Sequence, residues 1–257
     1  MSLYTLDSLQ CTRTGVGTVL SNVGLRMDAG EFVALCGLNG SGKSTLLETM
    51  SGLLAGYTGS CSFEGRELRQ WGPRELAKKI SFLPQSAEPG ARFTGLEIVQ
   101  MGRYPFGAGW GGSEADTQVC KRAMQLADCT DLASRYANQL SGGERQRILF
   151  AAVLAQEPKA LLLDEPGTFV DLPHQIRMFR TLRELCLQQG MLCVAATHDL
   201  NLAAAFCSRI VLLDQGRVVS DAAPGTVLPS DEFRAVFGEH VRVQQNTAGA
   251  VRIHYEI

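Results

Sequence analysis

Three groups of residues have the types and spacing to do phosphate chemistry. In the first, Gly37-Leu38-Asn39-Gly40-Ser41-Gly42-Lys43-Ser44 follows the pattern G-x-x-x-x-G-K-S/T, with Thr45 directly after it. Glycines let the backbone turn so that successive N–H groups point inward around phosphate oxygens, and the helix that follows adds positive potential at its N-terminus. Lys43 would then reach the β- and γ-phosphates, and the Ser44 hydroxyl would hold Mg2+. In the second group, Leu161-Leu162-Leu163-Asp164-Glu165 reads as a buried strand ending in two carboxylates. Ligands gather at the carboxyl ends of strands in open α/β sheets. Asp164 is thereby suited to bind Mg2+, directly or through water, and Glu165 to polarise an attacking water. The third group, Ser141-Gly142-Gly143-Glu144, is a helix start. Ser141 as N-cap with Glu144 at the N3 position forms a capping box, and the glycine N–H groups make a second anion-binding helix end. The ligand these groups call for is a nucleoside triphosphate.

The phosphate loop requires a strand before it and a helix after it. Glu31–Cys36 is a short apolar run of strand type, and a helical stretch begins near Lys43. Ala160–Leu163, Met191–Ala196 and Ile210–Leu213 are further short apolar runs; the first two flank helix-like sequence at Gln175–Gln188, and Leu200–Cys207 is a second helix candidate. Short apolar runs alternating with helices describe a parallel sheet covered on both faces. Leu212–Val219 predicts two strands joined by a turn at Asp214–Gly216. From about residue 86 to 138 the pattern becomes helical and is broken by Gly and Pro, which predicts a helical subdomain inserted into the α/β core. Within it Gly107–Gly112 is a glycine-rich loop carrying Trp110. The expected division of a single domain over 1–257 is a nucleotide-binding core at 1–85 and 139–225, the helical insertion at 86–138, and a tail at 226–257 packed on the core.

Composition narrows the class. With 45% hydrophobic and 19% charged residues, 27 Gly and only 9 Pro, the chain is neither disordered, collagen-like nor a coiled coil. Lys and Arg number 24 against 26 Asp and Glu, and a net charge of −2 argues against a broadly basic nucleic-acid surface. The longest apolar run, Ile148–Ala155, has 8 residues, far short of the ~20 a spanning helix needs. The N-terminal stretch lacks the basic-then-apolar layout of a secretory signal, so the chain reads as cytosolic. Its 8 cysteines contain no C-x-x-C pair. They predict reduced, buried thiols and neither a disulfide framework nor a zinc site.

Leu140-Ser141-Gly142-Gly143-Glu144-Arg145-Gln146-Arg147 resembles the signature sequence of the ATP-binding-cassette (ABC) ATPases. The resemblance covers nearly the whole chain. It implies an α/β fold with a P-loop NTPase core, an N-terminal β-rich part and an inserted helical subdomain, and an enzyme that hydrolyses ATP with Mg2+. It also implies that Ser141, Gly142, Gly143 and Glu144 serve ATP bound to a second copy of the chain, in a head-to-tail dimer that sandwiches two nucleotides. Gln85, in Phe82-Leu83-Pro84-Gln85, resembles the Q-loop glutamine, which senses Mg2+ and the attacking water and joins core to helical subdomain. With Ser44 and Asp164 it completes the implied Mg2+ set. His198, after the strand that ends at Ala196, resembles the switch histidine that contacts the γ-phosphate, and Asp171 occupies the D-loop aspartate position. Three departures stand out. The D-loop reads Thr168-Phe169-Val170-Asp171 where the family has S-A-L-D, Gly167 replaces the usual threonine, and Cys11–Gly17 lacks the aromatic that stacks on adenine. Arg13 is the residue of that stretch able to stack by cation–π contact.

No membrane span is visible, so the resemblance implies the ATPase subunit of an importer whose pathway lies in separate transmembrane permease subunits. A periplasmic or lipoprotein substrate-binding protein would be an indirect partner, and the chain would sit peripherally at the cytoplasmic face of the bacterial inner (cell) membrane. The alternatives are a soluble ABC ATPase outside transport, an exporter subunit, and a non-catalytic nucleotide-binding module. A single cassette with no coiled-coil insertion, no fused membrane domain and intact Lys43, Glu165 and His198 favours the importer. Val99–Pro105 resembles the V-x-M-G-R-x-P stretch of importers for ferric siderophores, haem and vitamin B12, and Asp171–Gln175 is similar to the D-x-x-H-Q of the same group. Taken alone, Gly102 and Pro105 break a helix and His174-Gln175 caps the next one. The resemblance makes the expected cargo a ferric siderophore, haem or cobalamin, and the expected grip on the membrane subunits a surface near Gln85 and around Arg103.

Overall fold

A computed structural model describes residues 2–13, 15, 17–87, 90, 92–107, 113–245 and 251–255. The chain runs β1 (Ser2–Arg13), β2 (Gly17–Asp28), β3 (Phe32–Cys36), α1 (Lys43–Met50), β4 (Tyr57–Phe63), β5 (Arg66–Glu67), α2 (Pro73–Ala77), β6 (Ile80–Leu83), α3 (Gly95–Met101) and α4 (Glu114–Leu126). It continues through α5 (Gly142–Ala155), β7 (Ala160–Asp164), α6 (Leu172–Gln189), β8 (Leu192–Ala196), α7 (Leu200–Phe206), β9 (Arg209–Asp214), β10 (Arg217–Ala222), α8 (Pro224–Val227), α9 (Asp231–Phe237), β11 (Val241–Gln245) and β12 (Val251–Tyr255). Trp110 lies outside the described residues.

A 6-stranded sheet has the order β10-β9-β3-β8-β7-β6. β9, β3, β8, β7 and β6 pair in parallel, and β10 folds back antiparallel on β9 through Gln215 and Gly216, both in the left-handed region. Successive strand residues point to opposite faces, and both faces are covered. Val33, Leu35, Leu162, Val194 and Leu213 pack toward α1 and the N-terminal strands. Phe32, Ala34, Leu161, Leu163, Cys193 and Leu212 pack toward α5, α6 and α7. This is why β3, β7 and β8 read as unbroken apolar runs: every residue in them is buried. The second, 4-stranded sheet has the order β2-β1-β4-β5 and is antiparallel. Its alternating residues, Leu9 and Cys11 with Leu20, Val23, Leu25 and Met27, close over the first core.

The helix expected at Gln175–Gln188 begins earlier, at Leu172. Asp171 caps it by accepting from the His174 N–H, and Pro173 in its first turn gives up no amide that the helix needs. α3 and α4, with a few single turns, fall between β6 and β7 and pack on α5. The C-terminal hairpin is tied to α7, where Asn201 Oδ1 accepts from the Ile253 N–H at 2.9 Å and Phe233 fills the core below. All eight thiols are free and buried, and burial pushes Cys36, Cys61 and Cys129 up to about 12.

Arg103, around which the grip on the membrane subunits is expected, is itself buried. Its guanidinium donates to Asp116 at 2.8 Å, to the Ala155 carbonyl at 2.9 Å and to Glu157 at 2.9 Å, and lies 4.1 Å from the Phe106 ring centroid. It braces the end of α3 against α4 and the C-terminal end of α5. A cation with this many acceptors is held for packing, and the exposed neighbour is Tyr104, at 77%. Arg103→Met should therefore lower Tm by ~5 °C in a thermal melt, since it leaves the half-buried Asp116 carboxylate and the buried Ala155 carbonyl without their donor; an unchanged Tm would refute the brace.

Candidate functional site

β3 ends at Cys36, and the chain turns into α1 through Gly37–Gly42. At Gly37 φ is +145°, and a Cβ there would lie 2.2 Å from the Leu213 carbonyl oxygen, so only glycine permits this approach to β9. α1 has no side-chain cap and no acidic residue in its first turn, so nothing of its own neutralises its positive end. Lys43 is buried and donates to the carbonyls of Gly37 at 2.8 Å and Leu38 at 3.0 Å. Burial holds its pKa below the usual lysine range, against the opposing pull of Glu165, Cys36 and Asp164. The buried Ser41 hydroxyl has no hydrogen-bond partner among the described residues.

β7 delivers Asp164 and Glu165 beside this loop. Asp164 is buried; burial raises its carboxyl pKa, while a hydrogen bond from Ser44 works the other way and the neighbouring Glu165 adds to the rise. Glu165 sits just past the strand with φ +50° and faces the open side. Its Oε2 accepts from Gln85 Nε2 at 3.1 Å and from Thr168 Oγ1 at 3.5 Å, and lies 3.7 Å from His198 Nδ1. Gln85 follows β6 and His198 follows β8, so three neighbouring strand ends converge on one carboxylate. A cleft of about 720 Å3 is lined by Asn39, Gly40, Gly42, Lys43, Ser44, Thr45, Gln85, Glu165 and His198.

Val19, on β2, also lines the cleft. Sequence reasoning missed it, because one valine in a strand carries no signal of a ligand. Arg13 is ion-paired with Glu48 on α1. Gly37, Leu38, Ser41 and Asp164 support the loop and are not among the lining residues.

The oxygen donors of the Ser44 hydroxyl and the buried Asp164 carboxylate, with the orphaned Ser41 hydroxyl nearby, suit a hard cation such as Mg2+. Among the described residues no group of three or more His, Cys, Asp or Glu could hold a metal alone. The residues fit a cation held jointly by one or two side chains and phosphate oxygens.

The third group lies elsewhere. Ser141 Oγ accepts from the Glu144 N–H at 3.3 Å, and Glu144 Oε2 accepts from the Ser141 N–H at 2.8 Å, completing the capping box on α5. Arg135 pairs with Glu144 at 2.6 Å. Ser141 and Gly142 are exposed, and neither they, Gly143, Glu144 nor Asp171 line the cleft. Asp171 receives hydrogen bonds from His174, which hold its carboxyl below the usual range, and the other face of that imidazole lies 3.5 Å from Asp128.

The ABC transporter family matches residues 20–168. The chain is 40% identical over 255 residues to the hemin import ATP-binding protein HmuV of Enterobacter cloacae, covering 97% of this chain and 95% of that one. It is 43% identical over 236 residues to HmuV of Myxococcus xanthus, covering 89% and 88%. The cobalamin import ATP-binding protein BtuD of Halobacterium salinarum is 39% identical over 236 residues, which span 91% of this chain and 59% of BtuD. Among solved structures, a chain described as a metal-chelate type ABC transporter in an inward-facing conformation superposes with TM-score 0.80 at 27% identity, covering 100% of this chain and 97% of that one. The dimeric ATP-binding cassette MJ0796, with ADP and Pi, gives TM-score 0.77 at 29% identity, covering 86% and 98%. With the family spanning most of the phosphate-loop-to-D-loop region and the cleft built from its motifs, the chain belongs to the ABC transporter family and is an ATP-binding ATPase of it.

Proposed function

We propose that this ATPase drives uptake of a metal chelate, a ferric siderophore, haem or cobalamin, through separate membrane subunits. The observation that carries the hydrolytic half is the meeting of Gln85, Glu165 and His198 at one carboxylate beside Lys43 and Ser44. The import half is supported by relatives named for hemin and cobalamin import, and by Val99–Pro105 and Asp171–Gln175.

ATP phosphates lie along Gly37–Thr45, against the uncapped end of α1, and the Lys43 ammonium turns from its own loop carbonyls to the β- and γ-phosphates. Ser44, Asp164 and Gln85 would hold Mg2+, which would supply positive charge to neutralise the phosphates. Glu165 orients the attacking water and draws its proton; Gln85 and His198 fix that carboxylate, and His198 also contacts the γ-phosphate. The core is 1–85 with 139–225 and includes the signature, the helical insertion is 86–138, and 226–257 is a tail. Ser141, Gly142, Gly143 and Glu144 act on ATP held by a second copy, and Asp171 joins the two sites. The dimeric cassette with ADP and Pi supports that arrangement. Among the described residues no helix is long and apolar enough to cross a membrane. The chain works peripherally at the cytoplasmic face of the bacterial cell membrane, gripping permease subunits near Gln85, with a periplasmic or lipoprotein binding protein delivering cargo.

Three outcomes check this reading. Glu165→Gln should bind ATP but lower phosphate release by at least about a hundredfold, and Lys43→Ala should lose nucleotide binding or turnover; parental activity in Glu165→Gln would refute the role of that carboxylate. Glu165→Gln with ATP should run as a dimer in light scattering, and adding Ser141→Arg should return it to monomer. Reconstituted with its neighbouring membrane and binding proteins, the chain should support ATP-dependent uptake of one of the three chelates; uptake of a sugar or amino acid alone would overturn the cargo assignment.

A further inference from the structure

Two departures from the family pattern, Gly167 and Phe169, and one unexplained pair, His174-Gln175, meet in a single short segment. Between Glu165 and Asp171 the chain turns tightly: the Thr168 N–H donates to the Glu165 carbonyl at 3.1 Å and the Val170 N–H to the Gly167 carbonyl at 3.1 Å. Glu165 at φ +50° and Phe169 at φ +66° both hold left-handed backbone that side-chain-bearing residues avoid. The turn is gripped from outside. Gln175, in the first turns of α6, sends its Nε2 to the Gly167 carbonyl at 2.8 Å and to the Val170 carbonyl at 2.8 Å, spanning the Phe169 bend.

The glycine at 167 fits this grip. A Cβ there would lie 3.2 Å from both Cδ and Nε2 of Gln175, so a side chain would press directly on the amide and shift it by a few tenths of an ångström relative to its two acceptors. The far end of the turn rests on the signature helix: a Cβ on Gly143 would lie 2.8 Å from the Phe169 carbonyl oxygen, and one on Gly142 3.1 Å from Phe169 Cβ. The segment thus touches Glu165 at one end and Gly142-Gly143 at the other. Gln175 is not needed as a cap, because Asp171 already accepts from the His174 N–H at 3.2 Å.

We infer that Gln175 is a positioning residue for ATP hydrolysis, with Gly167 as its counterpart: the carboxamide clamps the 165–171 turn and so sets Glu165 relative to the signature glycines. The inference rests on the assignment of Glu165 as the water-orienting group. Displacing a reacting group by a fraction of an ångström costs turnover and leaves ground-state binding alone, which separates positioning from mere scaffolding.

The test uses the full chain and measures kcat and KM for ATP, equilibrium binding of a fluorescent ATP analogue, and Tm. Gln175→Met keeps length but donates nothing; it should lower kcat by about tenfold or more, with KM and analogue affinity within about twofold. Gln175→Lys restores a donor able to reach both carbonyls and should recover much of the loss. Gly167→Ala should lower kcat comparably, and combining it with Gln175→Met should add little, because both remove one clamp. Unchanged kcat in Gln175→Met would overturn the inference. So would a fall in kcat that tracks Tm and is not rescued by Gln175→Lys. Glu165→Gln, run beside them, separates the two readings: a slow Glu165→Gln with a normal Gln175→Met sinks the clamp alone, whereas an active Glu165→Gln sinks the role of the carboxylate.

Discussion

The polar groups that line the nucleotide cleft sit mostly at the ends of strands that are buried on both faces. β3, β7 and β8 present five buried residues each, so no charged side chain can leave them sideways without a desolvation cost of several kcal/mol. The chemistry collects where these strands stop: the phosphate loop after β3, Thr197-His198 after β8, Asp164-Glu165 at the end of β7, and Gln85 after β6. Because the sheet runs β3-β8-β7-β6 and neighbouring strands lie about 4.8 Å apart, these ends form a row spanning about 14 Å. That is the scale of a nucleotide's phosphates and attacking water. One rule about burying peptide and charge sets the fold and locates the site.

That rule made much of the protein legible from sequence. The strands at β3, β7, β8 and β9 appear as short apolar runs because both faces are covered, and the phosphate loop is legible because its glycines and lysine are fixed by backbone geometry. The hairpin turn at Gln215-Gly216 was legible for the same reason. Sheet order was not. β8 inserts between β3 and β7 although it follows both in the chain, and nothing in local periodicity encodes which parallel strand becomes a neighbour. Val19 was equally silent: its strand alternates like any half-buried strand, and only the docking of one sheet on the other carries it to the cleft.

The burial of Arg103 was silent in the sequence as well. Nothing in the local sequence says whether Arg103 is buried, since arginine is seldom buried without partners. Its partners lie 13, 52 and 54 residues away, at Asp116, Ala155 and Glu157, beyond the reach of any local pattern. Gly167 was noticed as a departure but had no meaning until Gln175 was seen in the space a side chain would fill. In each case the missing information is a contact between elements, which packing decides and spacing does not.

The turn from Glu165 to Asp171 shows how finely such contacts are balanced. Its two left-handed residues cost about 1–2 kcal/mol each. Against this stand the two bonds from Gln175 and the 3.3 Å bond from the buried Gln146 on α5 to the Pro166 carbonyl, worth about 1 kcal/mol each. The terms nearly cancel. A segment strained and held in equal measure can be shifted by a modest change at either end, where its contacts are the helix carrying Gly142-Gly143 and the carboxylate of Glu165. Hydrophobic packing would hold the same turn more firmly, but Phe169 is 79% exposed and contributes little to it from within this chain. Hydrogen bonds to backbone carbonyls fix geometry at small net stability, which suits a link between two phosphate-handling elements of one ATPase.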